Sequence, residues 1–362
     1  MLFGVLLFLI PSQLSLHFWP EYAFIFGVRV DYLAPAVYLT DLLVILLVAV
    51  SRTKIKSYYI LAVCLFALFN VYFSISPWVS FWKWLKIFEL AFLVKYVSDS
   101  GQFFKQKVFV KIFSLSLIAV SLIGIAQFLI GRTVGWPLWF LGERSFTLST
   151  PGIALQDLFG RQFLRAYSVF SHPNSLAGYL AVSVLLLFQS PTLPIFKKIK
   201  LFWPAIVFSS VAFLLTFSLS AFAGIAVVLT FRLLGRLKNS FVLWWGIDFG
   251  SREVGERVEL AKISGEIVSK NFLTGTGLNT FVYFNRMMQP VHNIFLLVLS
   301  EAGILGLAGL SFVFYKVFKA LPLIALFILT TGFFDHYWLT LQQNMLLFSV
   351  VAGLSFGSKP LD

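Results

Sequence analysis

Residues 108–130 read "VFVKIFSLSLIAVSLIGIAQFLI", and this stretch decides the class of fold. It holds 23 residues with a single charged side chain, Lys111. A helix of about 20 mostly apolar residues is long enough to cross the hydrocarbon core of a bilayer. The stretch therefore predicts a transmembrane helix.

The rest of the chain has the same character. Of its 362 residues, 59% are hydrophobic and 12% are charged, whereas soluble domains carry about 25% charged residues. The apolar runs are continuous rather than alternating, which favours helices over the strands of a β-barrel. We predict one polytopic membrane domain over residues 1–362. A single cysteine, Cys64, excludes an internal disulfide and a cysteine-based metal cluster.

Hydropathy predicts eleven clear spans and one shorter candidate. The candidate, residues 239–249, would rise only about 16 Å as a helix. It is included because it places the basic clusters on one side of the membrane. The prediction is an all-α bundle of about twelve transmembrane helices. The eleven clear spans are residues 2–18, 33–50, 57–75, 77–97, 108–130, 173–190, 201–217, 219–234, 291–315, 320–334 and 338–356.

The distribution of basic residues orients this bundle. Most lysines fall on one side, which the positive-inside rule makes cytoplasmic. The opposite, outer face then contains an outer (periplasmic) loop, residues 131–171, and an outer segment, residues 250–290. The basic residues of this face are mostly arginines. They are Arg29, Arg132, Arg144, Arg161, Arg165, Arg252, Arg257 and Arg286.

The membrane topology does not require these outer arginines. A guanidinium group can hydrogen-bond two phosphate oxygens at once, which a lysine ammonium does less well. The set therefore indicates a phosphate-bearing ligand at the outer face. The alternative is that each arginine pairs with a nearby carboxylate, such as Glu143 or Asp157, or with lipid headgroups.

One predicted helix starts on the outer face in "SHPNSLAG", residues 171–178. Ser171 or His172 can cap this helix, Pro173 suits its first position, and Asn174 lies in its first turn. The N-terminus of a helix has unpaired N–H groups and a positive dipole end, so it attracts anions. The alternative is an ordinary capped transmembrane helix.

A second helix start repeats this design. Pro290 precedes an apolar helix, with His292 and Asn293 in its first turn. The positive dipole end disfavours imidazolium, so we expect His292 to stay neutral and to be able to act as a general base. Glu301 lies about 13 Å further along a continuous helix, so it should not orient His292 unless the helix breaks at Ala302–Gly303. The alternative is a histidine hydrogen-bonded at a helix interface.

The third outer feature is residues 251–281. Apolar side chains recur at helical spacing from Val254 to Val268, and Arg257 lies off this stripe. The pattern predicts an amphipathic helix along the outer surface. The alternative for Arg257 is a simple ion pair with Glu253, four residues earlier.

Taken in order, these stretches resemble the O-antigen ligase and O-antigen polymerase family, which also contains protein O-oligosaccharyltransferases. The resemblance is carried by "RAYSVFSHPNSLAGYL" (165–180), "ERVELAKISGEIVSKNFLTGTGLNTF" (256–281) and "HNIFLLVLSEAGILGL" (292–307). These stretches span the second half of the chain. The resemblance implies a GT-C-type glycosyltransferase in the bacterial cytoplasmic (inner) membrane, with its active site facing outward.

The family resemblance also implies an activity. Such enzymes transfer a glycan from an undecaprenyl-diphosphate-linked donor to an acceptor hydroxyl, with inversion and without a metal or cofactor. Arg257 matches the arginine that holds the diphosphate, and His292 matches the histidine that activates the acceptor. The implied partners are the lipid-linked donor, a glycan, lipid or protein acceptor, and membrane lipids, with no nucleic acid.

One position departs from the family pattern. Leu219 stands where a second diphosphate-binding arginine is expected. Arg165, Arg161 and Arg252 are the candidates to replace it, and the alternative is that the chain has lost activity. The remaining candidate substrate-binding residues are His172, Asn174 and Asn293.

Two questions of function remain open at the level of sequence. Ligase, polymerase and protein-targeted transferase share these motifs, so the sequence does not choose among them. A flippase or another transporter of lipid-linked oligosaccharides is the non-enzyme alternative. A transporter is expected to show internal repeats and charged residues within its spans.

Overall fold

The computed structural model describes residues 1–357 except 52, 54–56, 101–102, 104–105, 190–198 and 235–250. The side chains of residues 57–59, 234 and 251–254 also lie outside the description. The short candidate span at 239–249 falls outside the described residues, as do many of the basic residues that oriented the bundle. The described part is mostly helical, with thirteen α-helices and six short strands.

The helices follow the predicted spans closely in the middle of the chain and less closely at its two ends. They are α1 (Leu2–Leu9), α2 (Leu39–Val50), α3 (Ser57–Tyr72), α4 (Pro77–Asp99), α5 (Lys107–Ile130), α6 (Pro173–Gln189), α7 (Phe202–Leu214), α8 (Leu219–Leu234), α9 (Ser251–Asn271), α10 (Ile294–Ala320), α11 (Pro322–Phe334), α12 (Tyr337–Thr340) and α13 (Gln342–Gly357).

The strands form three antiparallel pairs near the helix ends. β1 (Ser15–His17) pairs with β4 (Ala36–Tyr38), β2 (Phe24–Ile25) with β3 (Val28–Arg29), and β5 (Leu155–Leu158) with β6 (Arg161–Leu164). The last two pairs are hairpins with two-residue turns.

Two helices, α5 and α10, are long and apolar enough to cross a membrane. Residues 108–130 lie within α5, so their predicted helical character is confirmed. Six further apolar helices among the described residues have 10–17 residues. Large apolar side chains also face outward from the bundle, including Leu42, Ile45 and Leu46 on α2.

The first predicted span, residues 2–18, is wrong as a single helix. Helix α1 ends at Leu9, and residues 15–17 pair instead with strand β4. Pro11 accounts for the break, because proline has no N–H with which to continue the hydrogen bonds of a helix. The last predicted span is also divided, since Leu341 has extended backbone angles between α12 and α13.

Buried polar side chains at the start of α13 fix the positions of two other helices. Gln342 donates from Nε2 to Oδ1 of Asp41 on α2 at 2.6 Å. Asn344 donates from Nδ2 to the carbonyl of Ser175 on α6 at 3.1 Å. Buried polar groups need hydrogen-bond partners, so these pairs hold α2, α6 and α13 in a defined arrangement.

Helix α10 is broken at Gly303, whose backbone angles are φ 64° and ψ −166°. The break leaves carbonyl groups without helical partners, and the loop after α9 supplies them. Thr276 donates its N–H to the carbonyl of Ser300 and Gly277 donates to that of Glu301, both at 2.9 Å. The "TGTG" turn is therefore built against the break in α10.

Candidate functional site

A cavity of about 850 Å³ lies where the ends of several helices meet. Five of the residues selected from the sequence line it: Arg165, His172, Asn174, Arg257 and His292. They come from three separate stretches of the chain. The structure thus brings the three outer features into one cavity.

At the mouth of α6 the predicted cap is present. Pro173 is the first helical residue, and Nδ1 of His172 accepts the N–H of Asn174 at 3.1 Å. His172 therefore caps the helix rather than Ser171. Its ring is accessible within the cavity but surrounded by protein, and this burial lowers its pKa from 6.5 to about 4. Arg165 and Arg257 lower this pKa further, while Asp335 opposes them. His172 is accordingly neutral at pH 7.

At the mouth of α10 the prediction needs a correction. Pro290 precedes the helix as predicted, but the helix begins at Ile294, so His292 and Asn293 lie before its first turn rather than in it. The N-cap is Asn293, which has extended backbone angles. His292 precedes the cap, and its side chain, 23% exposed, lines the cavity.

Asn293 has a structural position instead of the predicted substrate-binding one. Its Oδ1 accepts the N–H groups of Phe295 and Leu296 at 2.9 and 3.0 Å, and its Nδ2 donates to the carbonyl of Phe333 at 3.1 Å. The side chain is buried and is absent from the described cavity wall. These bonds satisfy the first N–H groups of α10 and tie it to the end of α11.

Asp335, which directly follows α11, was not selected from the sequence. Its Oδ1 lies 3.8 Å from Nδ1 of His292. This separation is within ion-pair range but too long for a hydrogen bond. Nδ1 of His292 is buried and has no hydrogen-bond partner among the described residues.

Asp335 is connected to Arg165 through Asn174. Nη2 of Arg165 donates to Oδ1 of Asn174 at 2.8 Å, and Nδ2 of Asn174 donates to Oδ2 of Asp335 at 3.0 Å. The backbone N–H of His336 donates to Oδ1 of Asp335 at 2.8 Å. Both carboxylate oxygens of Asp335 are thus engaged, and its orientation toward His292 is fixed.

The charge state of Asp335 follows from these contacts. Burial alone would raise its pKa, but the nearby His292, His336 and His172 rings outweigh burial and hold the pKa well below its usual range. The neighbouring His336 ring is buried, and this burial lowers its pKa to about 3. At pH 7 the cavity therefore holds an ionised carboxylate between neutral imidazoles His172 and His336.

Arg257 lies on α9, the helix predicted from the amphipathic pattern. Its Nη1 donates to the carbonyl of Phe334, the last residue of α11, at 2.8 Å. A guanidinium at the C-terminus of a helix is favoured by the helix dipole. This contact holds Arg257 in the cavity wall. The side chain of Glu253, its alternative partner, lies outside the description.

Among the residues whose side chains are described, three arginines line the cavity and the candidate Arg161 does not. Arg144 lies in the wall together with Arg165 and Arg257. Arg161 is exposed at the start of β6 and is not part of the described wall, so its role in substrate binding stays a prediction. Arg161 is the first residue of β6 and lies next to the hairpin turn, whereas Leu155, which lines the cavity, is at the other end of the hairpin. Arg252 has its side chain outside the description.

Glu301 is not bonded to His292. Its side chain accepts the N–H groups of Asn279 and Phe281 at 2.8 and 3.1 Å. The break at Gly303 that could have redirected it is present, yet the carboxylate is engaged with the loop after α9. Its described bonds stabilise that loop.

Three residues of the site are of types that bind metals. His292, Asp335 and His336 each offer a ligand atom, and these atoms lie within 4.8 Å of one another. Neighbouring ligands of a tetrahedral zinc ion are about 3.4 Å apart, so the side chains would have to close in. Nδ1 of His336 is also hydrogen-bonded to Thr340 at 2.7 Å. Metal independence remains a prediction.

Comparisons of the chain with models of known protein families and with curated proteins found no match. The functional interpretation consequently depends on the cavity and on the three sequence stretches that line it.

Proposed function

We propose that this chain is a membrane glycosyltransferase that transfers a glycan from an undecaprenyl-diphosphate-linked donor to an acceptor hydroxyl, as an O-antigen ligase does. The observation that carries the proposal is one hydrogen-bonded chain within a single cavity. Arg165, Asn174 and Asp335 are joined directly, and Asp335 faces His292. An inverting transfer requires a base and a stabilised leaving group.

The membrane setting of this proposal is a multi-pass bundle of about twelve helices, of GT-C type, in the bacterial cytoplasmic membrane. The two long apolar helices, the six shorter ones and the apolar side chains on the outer surface support it. Exposed apolar surface of this extent is rare on soluble monomers. The cavity would face outward, where lipid-linked glycans are used.

The cationic side of the cavity would hold the donor. Arg144, Arg165 and Arg257 line it, and the start of α6 opens beside them. As the bond between the anomeric carbon and the diphosphate oxygen breaks, the departing diphosphate takes the electron pair. Guanidinium groups form stronger hydrogen bonds to the diphosphate in the transition state, where its negative charge is growing, than in the bound donor. This difference lowers the barrier.

His292 would act as the base. The ionised Asp335 favours the tautomer with hydrogen on Nδ1, which leaves Nε2 able to accept a proton. The acceptor oxygen attacks the anomeric carbon and its proton passes to Nε2. The resulting imidazolium is then stabilised by Asp335. This step uses a base and arginines, and no residue has to form a covalent intermediate.

His172 would assist as a donor of a hydrogen bond. Its Nδ1 already accepts an N–H within the helix cap, so its neutral form carries hydrogen on Nε2. A neutral N–H at a helix N-terminus suits a phosphate oxygen. His172 would therefore orient the diphosphate without changing its own charge.

A polymerase or a protein O-oligosaccharyltransferase would use the same chemistry with another acceptor. One observation favours the transporter alternative. Lys86 on α4 forms buried ion pairs with Asp41 and Glu89, and ionisable residues inside helices are typical of transport pathways. These charges are paired with one another, however, and the cavity arginines and His292 lie outside the two long apolar helices α5 and α10.

Both alternatives are tested with the purified full-length chain in proteoliposomes. A fluorescent undecaprenyl-diphosphate glycan is supplied with a glycan, lipid or peptide acceptor, and transfer and translocation are measured in the same vesicles. We expect transfer to one acceptor class. Translocation of the donor without any transfer would support the transporter instead.

A further inference from the structure

Two hairpins of the outer face share one turn design. In β2–β3 the closing pair is Ile25 and Val28, which leaves Phe26 and Gly27 as the turn. Phe26 and Gly27 have φ values of 51° and 76°. Positive φ at both central residues defines a type I′ turn, which suits the right-handed twist of a hairpin.

The second hairpin repeats it. In β5–β6 the closing pair is Leu158 and Arg161, and the turn is Phe159 and Gly160, with φ values of 54° and 73°. Asparagine or aspartate normally precedes glycine in such turns. A bulky residue at positive φ is uncommon because its side chain crowds the backbone. Each hairpin therefore carries a phenylalanine at a position where backbone geometry favours another residue.

Both tips extend away from the rest of the chain. The relative exposure is 92% for Phe26 and 103% for Phe159. Apart from the glycine itself and its two chain neighbours, no described heavy atom would lie within 4 Å of a Cβ added at Gly27 or Gly160. Packing within the described fold does not account for either phenylalanine.

An arginine follows each tip. Arg29 comes three residues after Phe26, with its side chain 61% exposed and its guanidinium 4.4 Å above the ring of Trp19. Arg161 comes two residues after Phe159 and is exposed. In a phospholipid leaflet the glycerol region lies beneath the phosphates. An aromatic ring at the hairpin tip could therefore reach the glycerol region while the arginine behind it contacts the phosphates.

Exposed aromatic side chains in the same outer loop point to the same partner. Trp136, Trp139 and Phe140 are 70%, 51% and 66% exposed. Tryptophan is enriched where proteins meet the membrane–water interface. A water-facing loop would gain nothing from this composition.

We propose that Phe26 and Phe159 insert into the interfacial region of the outer leaflet, with Arg29 and Arg161 at its phosphates. Both hairpins lie close to the cavity along the chain, because Leu155 of β5 and Tyr32, three residues after β3, line it. Inserted tips would hold the cavity mouth at the depth of lipid headgroups. The benefit to a diphosphate-linked donor rests on the proposed function, whereas the insertion itself does not.

The test uses the full chain in nanodiscs of phosphatidylethanolamine and phosphatidylglycerol. Cysteine replaces Phe26 or Phe159 in a Cys64→Ser background and is labelled with bimane. Ser149→Cys, an exposed polar site of the same outer loop, is the control. We expect lipids with a shallow doxyl group to quench both tips, and aqueous iodide to quench the control more strongly than the tips. Tips quenched by iodide alone, or by neither agent, would overturn the proposal.

A second measurement guards against effects of the label. Asparagine suits the first position of a type I′ turn, so the Phe26→Asn, Phe159→Asn double variant should keep both hairpins. We expect its unfolding temperature to match or exceed that of the wild type in detergent and to fall below it in nanodiscs. Equal temperatures in nanodiscs would contradict insertion. Neither measurement depends on glycan transfer. Both would therefore still test insertion of the tips if the proposed function were wrong.

Discussion

Oδ1 of Asp335 lies 3.8 Å from Nδ1 of His292, although 43 positions separate the two residues in the chain. The two meet because α10 and α11 run out from and back to the same cavity, with His292 before the first helix and Asp335 after the second. This carboxylate is ionised and held by Asn174. In the proposed mechanism, this carboxylate supports His292 as a general base.

Replacing Asp335 by asparagine tests this pairing. The amide keeps the size of the side chain but removes the charge that would stabilise imidazolium, so transfer should fall by roughly 10²–10⁴-fold. Transfer would be measured at saturating donor, alongside the folded yield. Asp31→Asn is the matched control, because Asp31 also lines the cavity but its side chain is 64% exposed and paired with Arg29. An unchanged rate in Asp335→Asn would remove Asp335 from the mechanism.

Binding of the donor should require the guanidinium group of Arg257, and not only a positive charge at this position. Loss of a hydrogen bond to a charged group costs about 1.5–3 kcal/mol, so Arg257→Ala should weaken donor binding by one to two orders of magnitude. Arg257→Lys should also bind the donor poorly. An ammonium group lacks the planar set of N–H donors with which a guanidinium can bond the carbonyl of Phe334 and a phosphate together. Arg161→Ala, which alters an exposed arginine outside the described cavity wall, should bind donor normally in detergent. Normal donor affinity in both Arg257 variants would contradict the assignment.

The stability of the protein should fall as the pH decreases from neutral. Burial lowers the pKa of His336 from 6.5 to about 3. Below pH 6.5 the imidazole of His336 is therefore protonated in the unfolded chain but not in the folded chain. The free energy of unfolding decreases from there down to about pH 3. The slope for one such group approaches about 1.4 kcal/mol per pH unit. Thermal unfolding of wild type and His336→Gln across this range measures it, and an identical slope in both would count against the neutral, buried His336.

Gly303 should be intolerant of a side chain. It has φ 64°, and an added Cβ would lie 2.3 Å from the carbonyl oxygen of Leu273. Strain of this kind costs about 1–3 kcal/mol before the clash is counted, so Gly303→Ala should lower the unfolding temperature and the folded yield. Gly309→Ala in the same helix is the control, since nothing lies within 4 Å of that position. Its stability should be equal or higher, and equal behaviour of the two variants would contradict the break in α10.

Local patterns in the sequence predicted much of this site. The cap at His172, helix α9 with Arg257, and the closeness of His292 to a helix start all follow from residues within one turn of each other. Asn293 was placed correctly beside the helix start but has a capping role, which only the partner carbonyl of Phe333 reveals. Short-range chemistry therefore identified the positions better than it identified the roles.

Asp335 escaped the sequence interpretation because its partners are distant in the chain. Asn174 lies 161 residues away, and no local spacing records such a contact. A signal was nevertheless present, since "FFDHYW" at 333–338 places two ionisable groups between apolar helices. Membrane proteins seldom keep such groups without a function. The prediction of one helix over residues 2–18 was wrong for another reason. A hydropathy average is little changed by a single proline, whereas Pro11 interrupts the backbone hydrogen bonds of a helix.

His292 provides the most direct test of the proposed mechanism. His292→Ala and His292→Gln would be compared with wild type for folded yield, binding of the undecaprenyl-diphosphate donor, and glycan transfer per folded molecule, all on the same preparations. A general base predicts normal yield and donor binding with transfer slowed by roughly 10²–10⁴-fold. If yield falls while transfer per folded molecule is unchanged, His292 is structural and the proposed mechanism has lost its base.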